Sequence, residues 1–370
     1  MRIVVDATPL LLRSAGVKTY TYNWLRTMRR LSGEDTVMAW PYLDVGGEYS
    51  HEESIVGRGG TLARLALLQA ANFSGLPLLD WLGPRADLFH ASHQLRNPPR
   101  RGKLTATLYD LTCWLVPETH HPRNVQASRL FADRVMRRAD GLIAISESTR
   151  NDAVRILGIP ADRIEVIYPG IAGDYFWATP DDVLQAVAKY GLSKPYALFV
   201  GTVEPRKNID ALLDGWALLA PALREEFDLV AAGPTGWGDT QTLARLRAGD
   251  AGVKYLGYVP ERDLPGITAG ATVFVYPSLY EGFGLPLGQA MAAGVPAVTS
   301  NVSSMPEVVG AAGLLVDPRS PAEIRGAIGR LLESRELRHV LAGRARSRAR
   351  RYRWEVCARQ SLAYFRKVAG

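Results

Sequence analysis

The feature that most constrains the fold is an alternation of short apolar runs and longer helical patterns along the whole chain. This alternation is typical of parallel strands joined by crossover helices. In the first half, strands are expected at Ile3–Asp6, Leu88–His90, Thr105–Tyr109, Gly141–Ser146 and Ile164–Pro169. In the second half, they are expected at Tyr196–Gly201, Phe227–Gly233, Val253–Gly257, Thr272–Pro277, Ala297–Ser300 and Gly313–Val316. The sequence therefore predicts an α/β protein built on parallel sheets.

The length of the chain indicates two domains. A chain of 370 residues is too long for one ordinary hydrophobic core. The glycine-rich stretch Pro169–Asp174 is the expected crossing between them. We predict a first domain over residues 1–172 and a second over 173–352, with residues 353–370 returning to the first domain as a helix. Further helices are expected at Gly16–Leu31 and Gln126–Ala139.

Composition is that of a soluble globular protein, with 47% hydrophobic and 22% charged residues. The most apolar stretch, Leu62–Leu82, is interrupted by charged and polar residues and by a proline, so we do not expect it to span a bilayer. The first residues read directly as a strand, which argues against a signal peptide. Two cysteines, Cys113 and Cys357, give no disulfide framework. These features favour a cytoplasmic location.

Positive charge is concentrated near the C-terminus. Residues 335–367 carry eleven lysines and arginines against two acids, whereas the whole chain has a net charge of +7. The pattern fits a solvated helix pair whose arginines face water. The alternatives are a membrane-surface or anionic-ligand role and, with the least support, a nucleic-acid role.

A glycine-rich turn near the end of the second half gives the strongest functional signal. The segment Tyr280–Pro296 follows a predicted strand, holds three glycines within seven residues and then continues as a helix that closes at Gly294. Glycines between a strand and a helix let backbone N–H groups approach a ligand, and a helix N-terminus favours anions. Glu281 and Gln289 add hydrogen-bonding side chains. We therefore expect a phosphate or a sugar to bind here.

A basic pair follows the first strand of the second half. Gly201–Asn208 directly follows that strand, with Arg206 and Lys207 at the loop tip and Asn208 as an expected helix N-cap. Arginine binds phosphates through a planar fork and lysine as a point charge, so this pair could hold a diphosphate.

The segments Tyr280–Pro296 and Gly201–Asn208 resemble the donor-binding motifs of the retaining glycosyltransferases of family 4. The resemblance extends over nearly the whole chain and is strongest from Tyr196 to Asp317. It implies a GT-B fold, in which two doubly wound Rossmann-like domains present parallel sheets to an interdomain cleft. The first domain would then bind the acceptor and the second the nucleotide-sugar donor.

The resemblance also implies roles for individual residues of the second domain. Arg206 and Lys207 would stabilise the leaving diphosphate, and Glu281 would bond hydroxyls of the donor sugar. The family usually has a second glutamate, on the ribose diol, at position 289, where this chain has Gln289. An amide keeps one acceptor and adds donors, but the charged acceptor is lost. The remaining donor contacts are expected from Gly201, Gly233, Tyr258, Val259, Phe283, Gly284 and Leu285.

Two segments of the first half resemble family motifs as well. Ser14–Tyr22 is similar to the loop that covers the donor phosphates, and Gly16 is the residue carried over. Thr105–Leu111 is similar to a stretch that usually reads His-Asp-Leu near the reacting centre; Tyr109 replaces the histidine and Asp110 matches. Tyrosine can donate a hydrogen bond but is uncharged near neutral pH. A core tyrosine remains the alternative for Tyr109.

No cofactor or metal is expected beyond the nucleotide-diphosphate sugar as donor substrate. The chain has no Asp-x-Asp motif, and His90, His93, His120 and His121 do not have the spacing of a zinc site. The predicted reaction moves a hexose with retention, GDP-mannose-type donors being favoured over UDP- or dTDP-sugars.

The expected acceptor is a glycan, lipid-linked or small-molecule hydroxyl. Peripheral association with the inner face of the cell membrane is left open, nucleic acid is not expected as a partner, and a monomer or weak homodimer is predicted. A catalytically silent nucleotide-sugar-binding subunit and a sugar-nucleotide 2-epimerase of the same fold are the alternative functions.

Overall fold

The computed structural model describes residues 1–14, 16–47, 53–74, 76, 78–236 and 240–370. These residues divide into two units, one formed by residues 1–170 together with 354–370 and the other by residues 171–353. The predicted bounds differ from these by one or two residues. In each unit the described residues form a six-stranded parallel sheet.

The first unit alternates strands and helices as the sequence indicated. Its strands are β1 (Arg2–Asp6), β2 (Thr36–Trp40), β3 (Leu88–Ala91), β4 (Lys103–Leu108), β5 (Gly141–Ala144) and β6 (Ile164–Val166). Its helices before the crossing are α1 (Gly16–Leu31), α2 (Arg58–Phe73), α3 (Leu78–Leu82), α4 (Thr112–Leu115), α5 (Pro122–Phe131) and α6 (Glu147–Leu157). The strand order is β2-β1-β3-β4-β5-β6, so the direction of chain progression reverses between β1 and β3.

The second unit repeats this plan. Its strands are β7 (Tyr196–Val200), β8 (Asp228–Ala232), β9 (Val253–Gly257), β10 (Val273–Tyr276), β11 (Ala297–Ser300) and β12 (Gly313–Val316). Its helices are α7 (Gly173–Phe176), α8 (Pro180–Lys189), α9 (Ile209–Ala217), α10 (Pro221–Glu226), α11 (Thr240–Ala248), α12 (Leu264–Ala269), α13 (Leu285–Ala293), α14 (Met305–Val309), α15 (Pro321–Glu333) and α16 (Arg335–Ala349). The strand order is β12-β11-β10-β7-β8-β9, with the reversal between β10 and β7.

A final helix, α17 (Trp354–Ala369), returns to the first unit. The Trp24 indole Nε1 donates to the Ser361 hydroxyl at 2.9 Å, and the Phe365 ring lies 5.9 Å from the Trp24 ring. His90 lies 5.4 Å from Phe365, and its ring nitrogens each lie 2.9 Å from a threonine hydroxyl. Burial lowers the pKa of His90 to about 3, so this histidine is a neutral part of the core.

Several expectations for secondary structure were wrong in detail. Strands β5 and β6 end two and three residues before the predicted Ser146 and Pro169. Strand β2 was not predicted; it is an edge strand that pairs only with β1 among the described strands. The helix expected at Gln126–Ala139 begins at Pro122, because His121 accepts from the Arg123 N–H as N-cap, and it ends in a π-helical turn at Ala132–Met136. Strand β4 ends at Leu108, so Tyr109 lies beyond the strand.

Several arginines of α16 bond to the ends of neighbouring helices. Arg338 donates to the Leu331 and Leu332 carbonyls at 2.6 Å, near the end of α15. Arg348 donates to the Val308 carbonyl at 2.7 Å, near the end of α14. Cations at helix C-termini satisfy carbonyls that lack a helical partner. Part of the basic tail is therefore structural.

None of the helices in the described ranges is both long and apolar enough to cross a membrane.

Candidate functional site

The candidate site of the second unit lies where its strand order reverses. The loop that carries Arg206 and Lys207 follows β7, and the turn that carries Glu281 follows the neighbouring strand β10. In doubly wound sheets, ligands bind beyond the carboxyl ends of the strands at such a reversal. The structure thus brings together the two segments that the sequence had singled out separately.

Arg206 is held by two carboxylates and a carbonyl. Its Nη1 lies 2.9 Å from a Glu281 carboxylate oxygen and donates to the Tyr280 carbonyl at 2.7 Å. Its Nη2 donates to Glu204 at 2.6 Å. The Arg206 side chain is 15% exposed and that of Glu204 is 6% exposed. The Arg206 guanidinium is therefore oriented by Glu204 and Glu281 together. Sequence reasoning identified Glu281 as a site residue but not Glu204.

Lys207 completes the network. Its ammonium donates to Glu281 and to the Tyr276 hydroxyl, both at 2.6 Å, and the Tyr276 hydroxyl donates to the same carboxylate oxygen at 3.0 Å. Tyr276 is the last residue of β10 and is buried. Sequence reasoning treated Tyr276 as a strand residue; its position at a strand end beside Glu281 was the available signal.

Opposite charges keep Glu281 ionised although it is buried. Burial raises the pKa of its carboxyl, but Arg206 and Lys207 outweigh burial and lower the pKa to about 2. Burial lowers the pKa of the Lys207 ammonium, while Glu281 opposes that effect. Two cations and two carboxylates thus stabilise one another in a region with little water.

Backbone hydrogen bonds fix the loops that carry these groups. The Leu279 N–H donates to the Arg206 carbonyl at 2.9 Å and connects the two loops directly. The Glu281 N–H donates to the Ser303 hydroxyl at 3.1 Å, and the Ser304 hydroxyl donates to the Glu281 carbonyl at 2.9 Å. The backbone of Glu281 is therefore held by the loop after β11 as well.

The glycine turn leads into α13 as predicted. Gly284 has a φ of +86° and precedes the helix, which ends at Gly294 with a φ of +75°. A Cβ atom on Gly284 would lie 2.6 Å from the Met305 Cε. Phe283 is buried, with its ring 5.2 Å from that of Tyr352. Leu285 and Gln289 are half-buried.

Close packing of the backbone explains Gly233, which lies against Gly201. Gly201 follows β7 and Gly233 follows β8. A Cβ atom on Gly233 would lie 1.9 Å from the Gly201 carbonyl oxygen, so no side chain fits there. The Gly233 N–H donates to the Gly257 carbonyl at 2.7 Å. A contact of these glycines with a ligand remains a prediction.

The loop after β9 presents one polar and one buried side chain. The Tyr258 hydroxyl donates to Glu261 at 3.1 Å, and Val259 is buried. A contact of Val259 with a nucleotide would therefore involve its backbone.

The side-chain cap expected from Asn208 was wrong. Asn208 does occupy the position before α9, but with a φ of +58° and without a side-chain cap. Its amide donates instead to the carbonyls of Pro277 and Pro318, at 3.0 and 2.6 Å. The amide therefore links the loop to two other segments of the second unit.

In the first unit, a buried aspartate lies at the reversal between β1 and β3. Asp6 is 1% exposed and ends β1. One carboxylate oxygen accepts from the Thr8 N–H at 3.1 Å and the Thr8 hydroxyl at 2.5 Å. The other accepts from the Ser92 N–H at 3.3 Å and its hydroxyl at 2.6 Å. Burial raises the pKa of Asp6. Sequence reasoning missed this group, although its place after an apolar run was visible.

Tyr109 and Asp110 follow β4 at the same edge. The Tyr109 ring lies 5.3 Å from that of Tyr20, edge to face, and burial raises the pKa of its hydroxyl. Asp110 accepts from the Thr112 N–H at 3.0 Å and the Thr112 hydroxyl at 2.6 Å, a local turn. Tyr109 is thus a neutral phenol. A role for either residue near the reacting centre remains a prediction.

Gly16 begins α1 at an exposed position. A Cβ atom on Gly16 would meet no heavy atom of the described residues within 4 Å. Packing within the protein therefore gives no reason for a glycine here, in contrast to Gly233 and Gly284.

Within the described ranges, no group of three or more histidine, cysteine or acidic residues is arranged to hold a metal ion.

Comparison with known proteins identifies the family. The family model for glycosyl transferases group 1 matches residues 184–348, and that for glycosyltransferase family 4 matches residues 14–174. O-antigen chain mannosyltransferase B of Escherichia coli is 37% identical over 268 residues, which cover 72% of this chain and 70% of that protein. D-inositol 3-phosphate glycosyltransferase of Nocardioides is 34% identical, over 65% of this chain and 57% of that relative.

Solved structures share the fold at low sequence identity. Sucrose-phosphate synthase from Thermosynechococcus elongatus has a TM-score of 0.73 at 19% identity, covering 100% of this chain and 99% of that chain. Anabaena HepE in complex with UDP and glucose has a TM-score of 0.72 at 19% identity, covering 99% and 100%. The two doubly wound sheets define an α/β protein of the GT-B class. The chain belongs to the family 4 glycosyltransferases, with the group 1 domain in its second half, and is a glycosyltransferase.

Proposed function

We propose that this glycosyltransferase moves a hexose, with retention, from a nucleotide-diphosphate sugar to a hydroxyl of a glycan or lipid-linked acceptor. A GDP-mannose-type donor is favoured. The observation that carries the proposal is the buried network of Arg206, Lys207, Glu204 and Glu281 beside the glycine turn, at the strand reversal of the second unit.

The network suits stabilisation of a leaving diphosphate. Arg206 and Lys207 are already ordered by their carboxylate partners, so little reorganisation is needed when negative charge develops nearby. The backbone N–H groups at the start of α13 add positive potential for a phosphate. In this proposal Glu281 orients hydroxyls of the donor sugar and keeps both cations in place, and no metal ion takes part.

Similarity to named relatives supports the donor and the acceptor. O-antigen chain mannosyltransferase B is the relative with 37% identity, and the mannosyltransferase WbdA of Escherichia coli is 27% identical over 62% of this chain, although that stretch is 29% of WbdA. Their names support mannose as the sugar and a growing polysaccharide as the acceptor. The nucleotide of the donor is open to direct measurement.

The central test removes the two cations. In the variant Arg206→Ala, Lys207→Ala we expect sugar transfer to fall about 10²- to 10³-fold, as for other groups that stabilise charge in a transition state. The control variant Arg247→Ala, Arg262→Ala removes two exposed cations of the same unit and should transfer sugar normally. Undiminished transfer by the first variant would refute the proposal.

A second variant distinguishes loss of catalysis from loss of folding. Removing both cations leaves two buried carboxylates without a cationic partner, so thermal unfolding is measured for each variant. Arg206→Lys keeps the charge but not the fork, and we expect it to fold and to transfer sugar more slowly. A folded Arg206→Lys variant with unchanged transfer would also count against the proposal.

A ligand panel identifies the nucleotide. GDP, UDP, ADP and dTDP are compared by thermal shift, since a ligand that binds only the folded state raises the unfolding temperature. We expect GDP to give the largest shift. Incubation with labelled GDP-mannose and an acceptor then distinguishes transfer from binding alone or from epimerisation, in which the sugar changes without an acceptor.

A further inference from the structure

The first unit contains a polar cavity whose lining includes none of the residues proposed to take part in sugar transfer. Its volume is about 380 Å³, within the range of small-molecule sites. Its lining includes four arginines, Arg96, Arg100, Arg134 and Arg138, with one acid, Asp80.

The four guanidinium groups have no carboxylate partner among the described residues. Arg134 donates to the Asn97 side-chain oxygen at a long 3.4 Å, and Arg96 lies over the Phe73 ring, 4.8 Å from its centre. One oxygen of Asp80 accepts instead from the backbone N–H groups of Arg100 and Arg101, at 2.9 and 3.3 Å. Positive charge is thus collected in one cavity with a single acid to offset it, an arrangement that a bound anion would stabilise.

Asparagines hold the loop between β3 and β4 that forms one wall. The Asn72 side-chain oxygen accepts from the Arg96 N–H at 2.8 Å, and its amide donates to the Gln94 carbonyl at 3.0 Å. The Asn97 amide donates to the carbonyls of Ala71 and Asn72, at 3.2 and 2.9 Å. Arg96 and Arg100 therefore extend from an ordered loop, whereas Arg134 lies in the π-helical turn after α5 and Arg138 follows that turn.

The cavity is separate from the carboxyl edge of the sheet. Arg100 precedes the first residue of β4 by three positions, and Arg138 precedes the first residue of β5 by three. Tyr109 and Asp110 follow the opposite end of β4, a strand of six residues. At about 3.3 Å per residue the two ends lie close to 20 Å apart, so a small ligand cannot reach both.

An apolar margin adjoins the charges. Phe73 and Leu76 line the cavity and are 63% and 50% exposed. We propose that this cavity binds a phosphate ester, its oxygens held by the arginine side chains and its apolar substituent lying over Phe73 and Leu76. Arginine forks match phosphate oxygens, and the exposed ring and leucine side chain offer the substituent a surface that water solvates poorly.

The test measures binding of two soluble phosphates to the whole protein by calorimetric titration. The probes are inorganic phosphate and dihexanoyl phosphatidic acid, a lipid short enough to stay dissolved. Arg138→Glu reverses one charge of the cavity, and Arg123→Glu makes the same change at an exposed position of α5 outside it. We expect Arg138→Glu to weaken binding at least about tenfold, the effect of one charge-assisted hydrogen bond, and Arg123→Glu to leave it unchanged.

The two probes also distinguish a phosphate ester from a free phosphate. Tighter binding of phosphatidic acid than of inorganic phosphate supports the proposed ester, because only the lipid has a substituent that can lie over Phe73 and Leu76. Equal binding of the two probes would overturn the ester and leave only an anion site. Wild-type protein that binds neither probe, or equal losses in the two variants, would overturn it. Arg100→Gln is the second variant, should Arg138→Glu not fold.

This inference does not depend on sugar transfer. The variant Arg206→Ala, Lys207→Ala should still bind the probe, so failure of either proposal can be recognised separately. Loss of probe binding in that variant alone would assign the phosphate to the second unit and refute the cavity.

Discussion

The two units have the same kind of sheet, but they stabilise their strand reversals with different chemistry. At the reversal of the second unit, Glu281 bonds Arg206 and Lys207, and the carboxyl has a pKa of about 2. At the reversal of the first, the partners of Asp6 among the described residues are the N–H and hydroxyl groups of Thr8 and Ser92, and burial raises the pKa of its carboxyl.

This difference indicates different roles for the carboxyl edges of the two sheets. Fixed cations stabilise negative charge that develops during a reaction, whereas neutral donors and acceptors suit the hydroxyl groups of a sugar. The fold alone does not distinguish the two carboxyl edges, because both sheets are parallel and both reverse their strand order once. The two edges differ in the side chains at their strand ends: those after β7 and β10 in the second unit are charged pairs, whereas those at the ends of β1 and β3 in the first unit are an aspartate and two hydroxyl residues.

The largest expected effect comes from neutralising the acid of the charged edge. Glu281→Gln leaves two buried cations with one carboxylate between them, and we expect the free energy of unfolding to fall by about 3–5 kcal/mol. Asp6→Asn is the matched change at the reversal of the first unit and should cost about 1–2 kcal/mol, because the amide keeps the bonds to one oxygen. Urea unfolding measures both. Equal losses would remove the contrast between the edges.

Acid should weaken the charged edge selectively. The folded-state pKa of Glu281, about 2, lies below its ordinary value of 4.5. Its contribution to stability is therefore complete above pH 4.5 and is lost as the pH falls towards 2, by about 3 kcal/mol. Asp6 has the opposite sign, because a raised pKa favours the folded state as the pH falls. The free energy of unfolding should therefore rise less steeply with pH between 2 and 4.5 in Glu281→Gln than in the wild type. In Asp6→Asn the rise should be steeper above pH 3.8, the ordinary pKa of this carboxyl.

A pair of glycines distinguishes structural from functional requirements at the two edges. Gly284→Ala places a side chain at a φ of +86° beside Met305 and should destabilise the protein by about 1–2 kcal/mol. Gly16→Ala meets no neighbouring atom of the described residues and should leave stability unchanged or slightly higher. Thermal unfolding and sugar transfer are measured together. Reduced transfer by a fully stable Gly16→Ala variant would indicate that a ligand approaches this backbone, whereas unchanged transfer would remove Gly16 from the site.

The smallest expected effect concerns position 289. Gln289→Glu restores the charged acceptor of the family, and a hydrogen bond to a charged group exceeds a neutral one by about 1 kcal/mol. We therefore expect the dissociation constant for the preferred nucleoside diphosphate to fall about fivefold. Gln94→Glu, at a half-buried position of the first unit, is the control. Weaker binding by Gln289→Glu would mean that the amide is suited to the ligand of this chain.

Much of the fold followed from the sequence because the strands are short apolar runs between helical patterns. Val253–Gly257, Ala297–Ser300 and Gly313–Val316 were predicted with the observed bounds. Strand β2 was missed, and its edge position does not explain this, because β9 and β12 are edge strands as well. The early start of α5 depends on a histidine cap, and histidine is not among the usual N-cap residues.

The candidate site was predictable in position but not in electrostatics. Placement after apolar runs in the sequence was enough to identify Arg206, Lys207 and Glu281. That placement could not show that the three form one buried network, since ion pairs over 74 residues leave no local pattern. Glu204, two residues before Arg206, was overlooked because an acid beside a basic pair reads as a solvated loop.

The position of α17 has a consequence for how the chain folds as it is synthesised. Trp24 and His90 emerge from the ribosome long before Ser361 and Phe365, the residues that cover them. The second unit is contiguous and can fold once residue 353 has emerged. The first unit is synthesised first but completed last, because α17, which packs against it, is synthesised only after the whole second unit. During that interval the aromatic face beside α1 is a natural target for chaperones.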